Sequence, residues 1–301
     1  MTEIASTSRV FALLGDPVRH SFSPEIQNAA MRAAGLDGVY VAVPTREAEL
    51  AGMIRGLARG GGGGNITLPH KERAASLLDL PNSTVRRTGA CNTFWADERG
   101  RVVGDNTDVE GFRRALAHFL SKSPRDARVL MLGAGGAARA ALVSLLEDGV
   151  GEVRIFNRSV ERARAVSRRI GGERVRVVPL ISELHGEDFD LVVNATRLGL
   201  SPDDPLPLEL EVLTRAGAIF DMVYGETTTP FVQAAEARGI RATDGLEMLI
   251  RQGAAAFECW WGREAPLDAM REAFGRRRAA RETLGHRHGA HGGARGGGPE
   301  G

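Results

Sequence analysis

The stretch Arg128-Val129-Leu130-Met131-Leu132-Gly133-Ala134-Gly135-Gly136-Ala137-Ala138-Arg139 decides how the rest of the chain reads. Its first five residues are a short apolar run ending on glycine, the mark of a buried strand. An alanine- and leucine-rich segment then continues to about Asp148 and reads as a helix. Between them lies Gly133-x-Gly135-x-x-Ala138. Each small residue there has a mechanical reason. The first permits a tight turn, the second lets a pyrophosphate approach the backbone, and Ala138 lets the helix pack closely on the sheet. The first amides of a helix lack partners within it and form the positive end of its dipole, which suits phosphate. Gly133, Ala134, Gly135, Gly136 and Ala137 are therefore candidate dinucleotide contacts. The plainer alternative is a merely tight strand-helix turn; the strand-helix-strand setting is what favours the dinucleotide reading.

The next strand, Val153–Phe156, runs into Asn157-Arg158-Ser159. A protein that binds NAD usually places an acid at this strand end to accept from the ribose 2′-hydroxyl. Here the acid is missing, and Arg158 offers a guanidinium that grips a 2′-phosphate. The cofactor predicted is NADP(H). Arg158 could also be an ordinary solvated arginine, so the missing acid is the stronger half of the argument. Further strands are expected at Val175–Val178, Leu191–Val193 and Ala218–Met222, with helices over Val160–Ile170 and Pro230–Arg238. This half reads as a doubly wound, Rossmann-type domain.

Upstream, strands at Val10–Leu14, Val39–Val43 and Arg101–Gly104 alternate with helical segments. One opens at Ser23-Pro24-Glu25, with Ser23 as N-cap and proline in the first turn. Others cover Glu47–Leu57 and the stretch from Asp108 to about Phe119. A break follows at Ser121–Arg125, and a last helix spans Gly245 to about Gly262. The fold class predicted is α/β: an open, mostly parallel α/β domain beside the doubly wound one, with a cleft between them.

Composition removes other classes. The 301 residues carry 39 Lys plus Arg against 38 Asp plus Glu, a net charge of +1, which argues against a dedicated nucleic-acid binder. No apolar run approaches the roughly 20 residues of a membrane span, and the start Met1-Thr2-Glu3-Ile4 does not resemble a signal peptide. Cys91 and Cys259 are too few for a disulfide framework and fit a reducing, cytoplasmic setting. Residues 276–301, rich in Gly, Arg and His, are expected to be a disordered tail rather than a metal- or nucleic-acid-binding segment. Lys71 and Lys122 are the two lysines among the 39 basic residues.

Four polar segments hold residues that chemistry needs and packing does not: His20-Ser21-Phe22-Ser23-Pro24, Asn65-Ile66-Thr67-Leu68-Pro69-His70-Lys71, Gly89-Ala90-Cys91-Asn92-Thr93 and Gly104-Asp105-Asn106-Thr107-Asp108. Each falls where a strand end meets a turn or helix start, the usual ligand position in open α/β sheets. Together they offer hydroxyls, amides, one ammonium and one carboxylate, a set suited to a small polyhydroxylated acid. Plainer readings stand beside them. Ser23 and Asp108 would serve as helix caps, Asn92, Thr93 and Thr107 as turn residues, and Lys71 as a surface charge.

These segments, with Gly111, Asn194-Ala195-Thr196, Phe220-Asp221-Met222-Val223-Tyr224 and Asp244-Gly245-Leu246-x-Met248-Leu249-x-x-Gln252, resemble the shikimate dehydrogenase family from about Val10 to Leu267. The resemblance implies NADPH-dependent, reversible reduction of 3-dehydroshikimate to shikimate in aromatic amino-acid biosynthesis. It implies a substrate domain of residues 1–107 plus 246–275 and an NADP domain of 108–245. Ser21 and Ser23 would hold the substrate carboxylate; Thr67, Asn92, Asp108 and Gln252 would bind ring hydroxyls; Lys71 and Asp108 would be the catalytic pair. Tyr224 would close over the substrate, and the glycine turn, Asn157, Arg158, Ser159, Met222 and Gly245 would contact NADP. No metal, membrane or nucleic-acid partner is implied, and the chain would be a monomer or homodimer.

Three departures stand out. Gln27 replaces a frequent His, Arg197 replaces a common Ser, and the five glycines Gly60 to Gly64 suggest a loose approach to the Lys71 loop. The rival readings are a paralogue acting on quinate or an amino-substituted analogue, and a non-catalytic NADP-binding regulator.

Overall fold

The computed structural model describes residues 4–201, 203–225 and 227–277. Two six-stranded sheets organise them. The first contains β1 (Arg9–Gly15), β2 (Gly38–Pro44), β3 (Gly63–Ile66), β4 (Leu80–Pro81), β5 (Thr93–Ala96) and β6 (Val102–Asp105), in the order β2-β1-β3-β5-β6-β4. It is parallel except at β5, which runs antiparallel to β3 and β6. Helices α1 (Ser23–Ala33), α2 (Glu47–Arg59), α3 (Lys71–Ala75) and α4 (Ser83–Thr88) connect these strands, and α5 (Asp108–Leu120) leads out of them.

The second sheet is wholly parallel. Its strands are β7 (Arg128–Leu132), β8 (Glu152–Phe156), β9 (Val175–Val178), β11 (Leu191–Asn194), β13 (Ala218–Asp221) and β14 (Arg241–Thr243), while β10 (Asp188–Phe189) and β12 (Arg215–Ala216) pair separately. Helices α6 (Gly136–Glu147), α7 (Val160–Val166) and α8 (Pro230–Glu236) accompany it. The order β14-β13-β11-β7-β8-β9 reverses direction between β7 and β11. That reversal opens a crevice at the strand ends, just where Gly133 sits. The chain returns through α9 (Leu246–Trp261), which packs against α5, and ends in α10 (residues 267–277).

Buried faces fix this arrangement. Val129, Met131, Ala138, Ala141, Leu142 and Leu145 close the space between β7 and α6 and join Phe112, Ala115 and Leu116 of α5. Phe11, Tyr40, Ile26, Phe257 and Trp260 form a second cluster between the first sheet, α1 and α9. Each large side chain so buried contributes roughly 1.5–3 kcal/mol of transfer free energy.

Four expectations change. The glycine run is not a loose approach: Gly63 and Gly64 form the buried strand β3, and a Cβ on Gly64 would fall 2.2 Å from the Ala12 carbonyl oxygen. Glycine is there because β1 and β5 leave no room for more. Ser23 does not cap α1; it is the first helical residue, and its hydroxyl lies 3.1 Å from the Ser21 hydroxyl. The helix expected over Val160–Ile170 ends at Val166 and continues as a π turn over Ser167–Gly171. Residues 276–277 of the expected tail are helical, while the rest of that stretch lies outside the described residues. Cys91 and Cys259 are free thiols, and burial pushes both up to about 12.

Candidate active site

Lys71 reaches the crevice because β3 delivers it there. The strand ends at Ile66; the turn after it is pinned by buried His70, whose Nε2 lies 2.6 Å from the Thr45 carbonyl oxygen. Lys71 then opens α3, and its own carbonyl accepts from the Cys91 amide at 2.8 Å. Asp108 opens α5 directly after β6. The two meet with Lys71 Nζ 2.6 Å from Asp108 Oδ2, at 18% and 8% side-chain exposure. Such a pair is held by geometry and low water access, and removing one partner would leave the other charge uncompensated.

Asn92 holds the second oxygen of Asp108, donating from Nδ2 to Oδ1 at 2.8 Å. Its own Oδ1 accepts from the Thr107 amide at 2.7 Å and from the Thr93 hydroxyl at 2.9 Å. Asn65 Nδ2 donates to the Asn92 carbonyl and to Thr93, and Tyr40 donates to Asn65 Oδ1. The motifs include Asn65 in a polar segment but give it no site role, and they do not reach Tyr40. The seat of Asn65 in that segment was the available signal, because a buried asparagine side chain must find partners.

A cavity of about 1100 Å³ lies over this pair, bounded by both sheets. It is lined by Ser21, Ser23, Thr67, Lys71, Asn92, Asp108, Tyr224 and Gln252, so every expected substrate residue faces one space. Gln252 donates Nε2 to the Leu249 carbonyl of its own helix at 2.9 Å. Burial, then the Asp108 charge, pushes Tyr224 up to about 12, which keeps its hydroxyl protonated as a donor. The segment carrying Met222 and Tyr224 hangs from Asp221. That carboxylate accepts from Thr229, Asn194 and the Val223 amide, and burial pushes it up to about 6. Thr228, Thr229 and Gln233 add a polar wall that the sequence reading did not single out.

Of the expected cofactor residues, Ala137, Met222 and Gly245 line the same cavity. Gly133, Ala134, Gly135 and Gly136 form the turn beside it. Gly133 has φ of 110°, and a Cβ there would meet the Ala195 carbonyl oxygen at 2.8 Å. A Cβ on Gly135 would stand in open space, so the turn leaves room before the first amides of α6. Asn157, Arg158 and Ser159 follow β8, next to this turn; Gly133 donates its amide to the Phe156 carbonyl at 2.8 Å. Ser159 caps α7 through its side chain, and Asn157 Nδ2 donates to the Ser159 carbonyl. Arg158 is exposed and makes no ion pair among the described residues. Arg197 is likewise exposed. Gln27 is buried and donates to the Gly253 carbonyl at 2.8 Å, which ties α1 to α9.

Among the described residues no cluster of His, Cys, Asp and Glu suits a metal ion, and no helix is long and apolar enough to cross a membrane.

Known proteins share this arrangement. Residues 13–94 match the family model of the shikimate dehydrogenase substrate binding domain. Residues 115–199 match that of shikimate / quinate 5-dehydrogenase, and 245–273 that of the shikimate 5′-dehydrogenase C-terminal domain. A shikimate dehydrogenase (NADP(+)) of Geobacter metallireducens is 40% identical over 277 residues, covering 89% of this chain and 96% of the relative. The structure of shikimate 5-dehydrogenase from Thermus thermophilus in complex with NADP(H) and shikimate superposes with a TM-score of 0.80 at 39% identity, covering 89% of this chain and 99% of that one. Quinate dehydrogenase from Corynebacterium glutamicum in complex with NAD gives a TM-score of 0.80 at 30% identity, covering 89% and 98%.

Proposed function

This chain belongs to the shikimate dehydrogenase family, and from that premise we propose how its cleft performs the family's reaction. The activity is the NADPH-dependent, reversible reduction of 3-dehydroshikimate to shikimate. The observation that carries the residue assignment is the Lys71–Asp108 pair, 2.6 Å apart at the floor of a cleft lined with hydroxyls and amides. On this reading residues 1–107 with 246–275 form the substrate domain, and 108–245 the NADP domain.

The residues present suit the cofactor. The turn from Gly133 to Ala137 offers a cradle with free space at Gly135 and the unpaired first amides of α6 for the pyrophosphate. Asn157, Arg158 and Ser159 stand where the adenine ribose of such a cofactor is read, and an unpaired guanidinium suits a 2′-phosphate. Met222 and Gly245 would flank the nicotinamide end. When bound, NADPH supplies the hydride.

The chain supplies position and the proton. Ser21 and Ser23 present paired hydroxyls to the substrate carboxylate. Thr67, Asn92, Asp108 and Gln252 meet ring hydroxyls, and Tyr224 closes the opposite side. Lys71 Nζ donates to the ketone oxygen and transfers its proton there as that oxygen becomes a hydroxyl, a general-acid role. Asp108 Oδ2 aims the ammonium, and Asn92 keeps that carboxylate from turning away. Lys71 then recovers a proton from solvent, to which it remains partly open. We place the chain in the cytoplasm, where its free thiols stay reduced.

The test is NADPH oxidation with 3-dehydroshikimate, run beside quinate oxidation with NADP. Turnover of dehydroshikimate and shikimate, with quinate far slower, supports the proposal. Quinate turned over as well as shikimate would contradict the assignment of Ser21, Ser23 and Tyr224 as a tight carboxylate site, because quinate carries an extra hydroxyl beside its carboxylate.

A further inference from the structure

Arg277 lies outside the cleft, on α10, in the stretch that composition assigns to a tail. Three contacts converge on its guanidinium. Nη1 donates to the Ser21 carbonyl oxygen at 2.9 Å, the group pairs with Glu25, and it lies over the Phe22 ring, 4.8 Å from the centroid. Its side chain is 17% exposed. Phe22 is buried and packs on Phe274 of the same helix, ring centroids 4.6 Å apart, and edge-on against Tyr224 at 6.3 Å. Helix α10 therefore grips the segment Ser21-Phe22-Ser23 from behind, while the two serines line the cleft on the other side.

Charge adds a second reason for this contact. Glu25 follows Ser23 by two residues, and its Oε2 is buried with no hydrogen-bond partner among the described residues. A carboxylate near a site for another carboxylate repels its ligand unless a cation offsets it. Arg277 is that cation, and its Nη1 serves the Ser21 carbonyl and Glu25 together.

We propose that Arg277 is a positioning residue for the acid end of the substrate. It fixes the backbone of the carboxylate-binding serines and neutralises Glu25 beside them. The proposal rests on the assignment of Ser21 and Ser23 above. Wild-type turnover of 3-dehydroshikimate, measured first, tests the function itself, so a later failure concerns the arginine alone.

The experiment compares the full-length Arg277→Met, Arg277→Lys and Glu25→Gln/Arg277→Met variants by steady-state kinetics. Arg277→Met should raise KM for 3-dehydroshikimate roughly 10- to 100-fold, the scale of one lost charge-assisted contact. Its kcat and its KM for NADPH should stay within about threefold, because the loss is in binding one substrate. Arg277→Lys should recover part of the lost affinity. The double variant should bind better than Arg277→Met, since the repelling charge is gone. A dehydroshikimate KM within about threefold of wild type, or a fall in kcat together with a rise in both KM values, overturns the proposal. An equal or higher KM in the double variant than in Arg277→Met overturns the neutralising role. If Arg277→Met does not fold, Arg277→Lys decides: a KM raised for dehydroshikimate alone supports the proposal, and an unchanged KM overturns it.

Discussion

Asn92 turns its amide nitrogen toward Asp108 because its oxygen is already engaged by Thr93 and Thr107. Its orientation is thus set by the hydrogen-bond network rather than by its own torsions. Asp221 is fixed in a similar way, by three donors, but deeper. Burial raises its folded-state pKa to about 6, from 3.8. Its contribution to folding is therefore complete below the unfolded value and is lost as pH rises through about 6. The stability gap between wild type and Asp221→Asn should shift against wild type by up to roughly 3 kcal/mol between pH 4 and pH 7.5, read by chemical denaturation. A gap that does not move with pH would mean that Asp221 titrates normally. Arg158, exposed and without an ion pair among the described residues, has no such structural duty there. Arg158→Ala should weaken NADPH binding by roughly 10- to 150-fold and leave NADH binding nearly unchanged, as fits a lost charge-assisted contact of about 1.5–3 kcal/mol. Equal losses for both cofactors would show that Arg158 does not read the 2′-phosphate.

At the scale of elements, strand β3 is the instructive case. Gly63 and Gly64 carry no side chain to signal a strand, so periodicity misses it, and a glycine run suggests slack. In the folded chain the lack of a Cβ is what lets β1 and β5 close in. Gly64→Val should cost at least about 1–3 kcal/mol by overpacking and reduce turnover with it, because β3 carries the Lys71 turn. Gly52→Ala, on the exposed face of α2 with nothing near its Cβ position, should instead stabilise by roughly 0.4–1 kcal/mol. Thermal midpoints of the two variants, moving in opposite directions, check this. Strands with a continuous apolar run, such as β7, β11 and β13, were legible in the sequence, as were the alternating strand β8 and the glycine turn between β7 and α6. Strands β4, β10, β12 and β14 were not, because two or three residues hold too little pattern, and β5 was not because Asn92-Thr93 at its start reads equally as a turn. The cleft residues were legible as motifs at strand ends. What the sequence could not supply was the scaffold behind them, Tyr40 and Asn65 under Asn92 and Arg277 under Ser21, since those contacts join distant parts of the chain.

For the whole molecule, function depends on two sheets meeting at one cleft. The first brings the serines, Lys71, Asn92 and Asp108; the second brings the glycine turn and the Met222–Tyr224 segment; α5 and α9 bind the two together. Neither half holds all the groups that line the cavity. The pairing across α3 and α6 is equally physical: Arg139 at the start of α6 lies 2.9 Å from Glu72, the residue after Lys71. On the proposed mechanism Lys71 delivers the proton rather than only a positive charge. In a chain with 37 Arg and two Lys, a mere charge would be expected as arginine, and arginine scarcely releases a proton. The direct measurement is the steady-state kcat of Lys71→Ala and Lys71→Arg with NADPH and saturating 3-dehydroshikimate. Both variants should fall by roughly 10²- to 10⁴-fold, with arginine giving no rescue. Retention of more than about half of the wild-type kcat by either, where loss of a general acid should cost orders of magnitude, would contradict it.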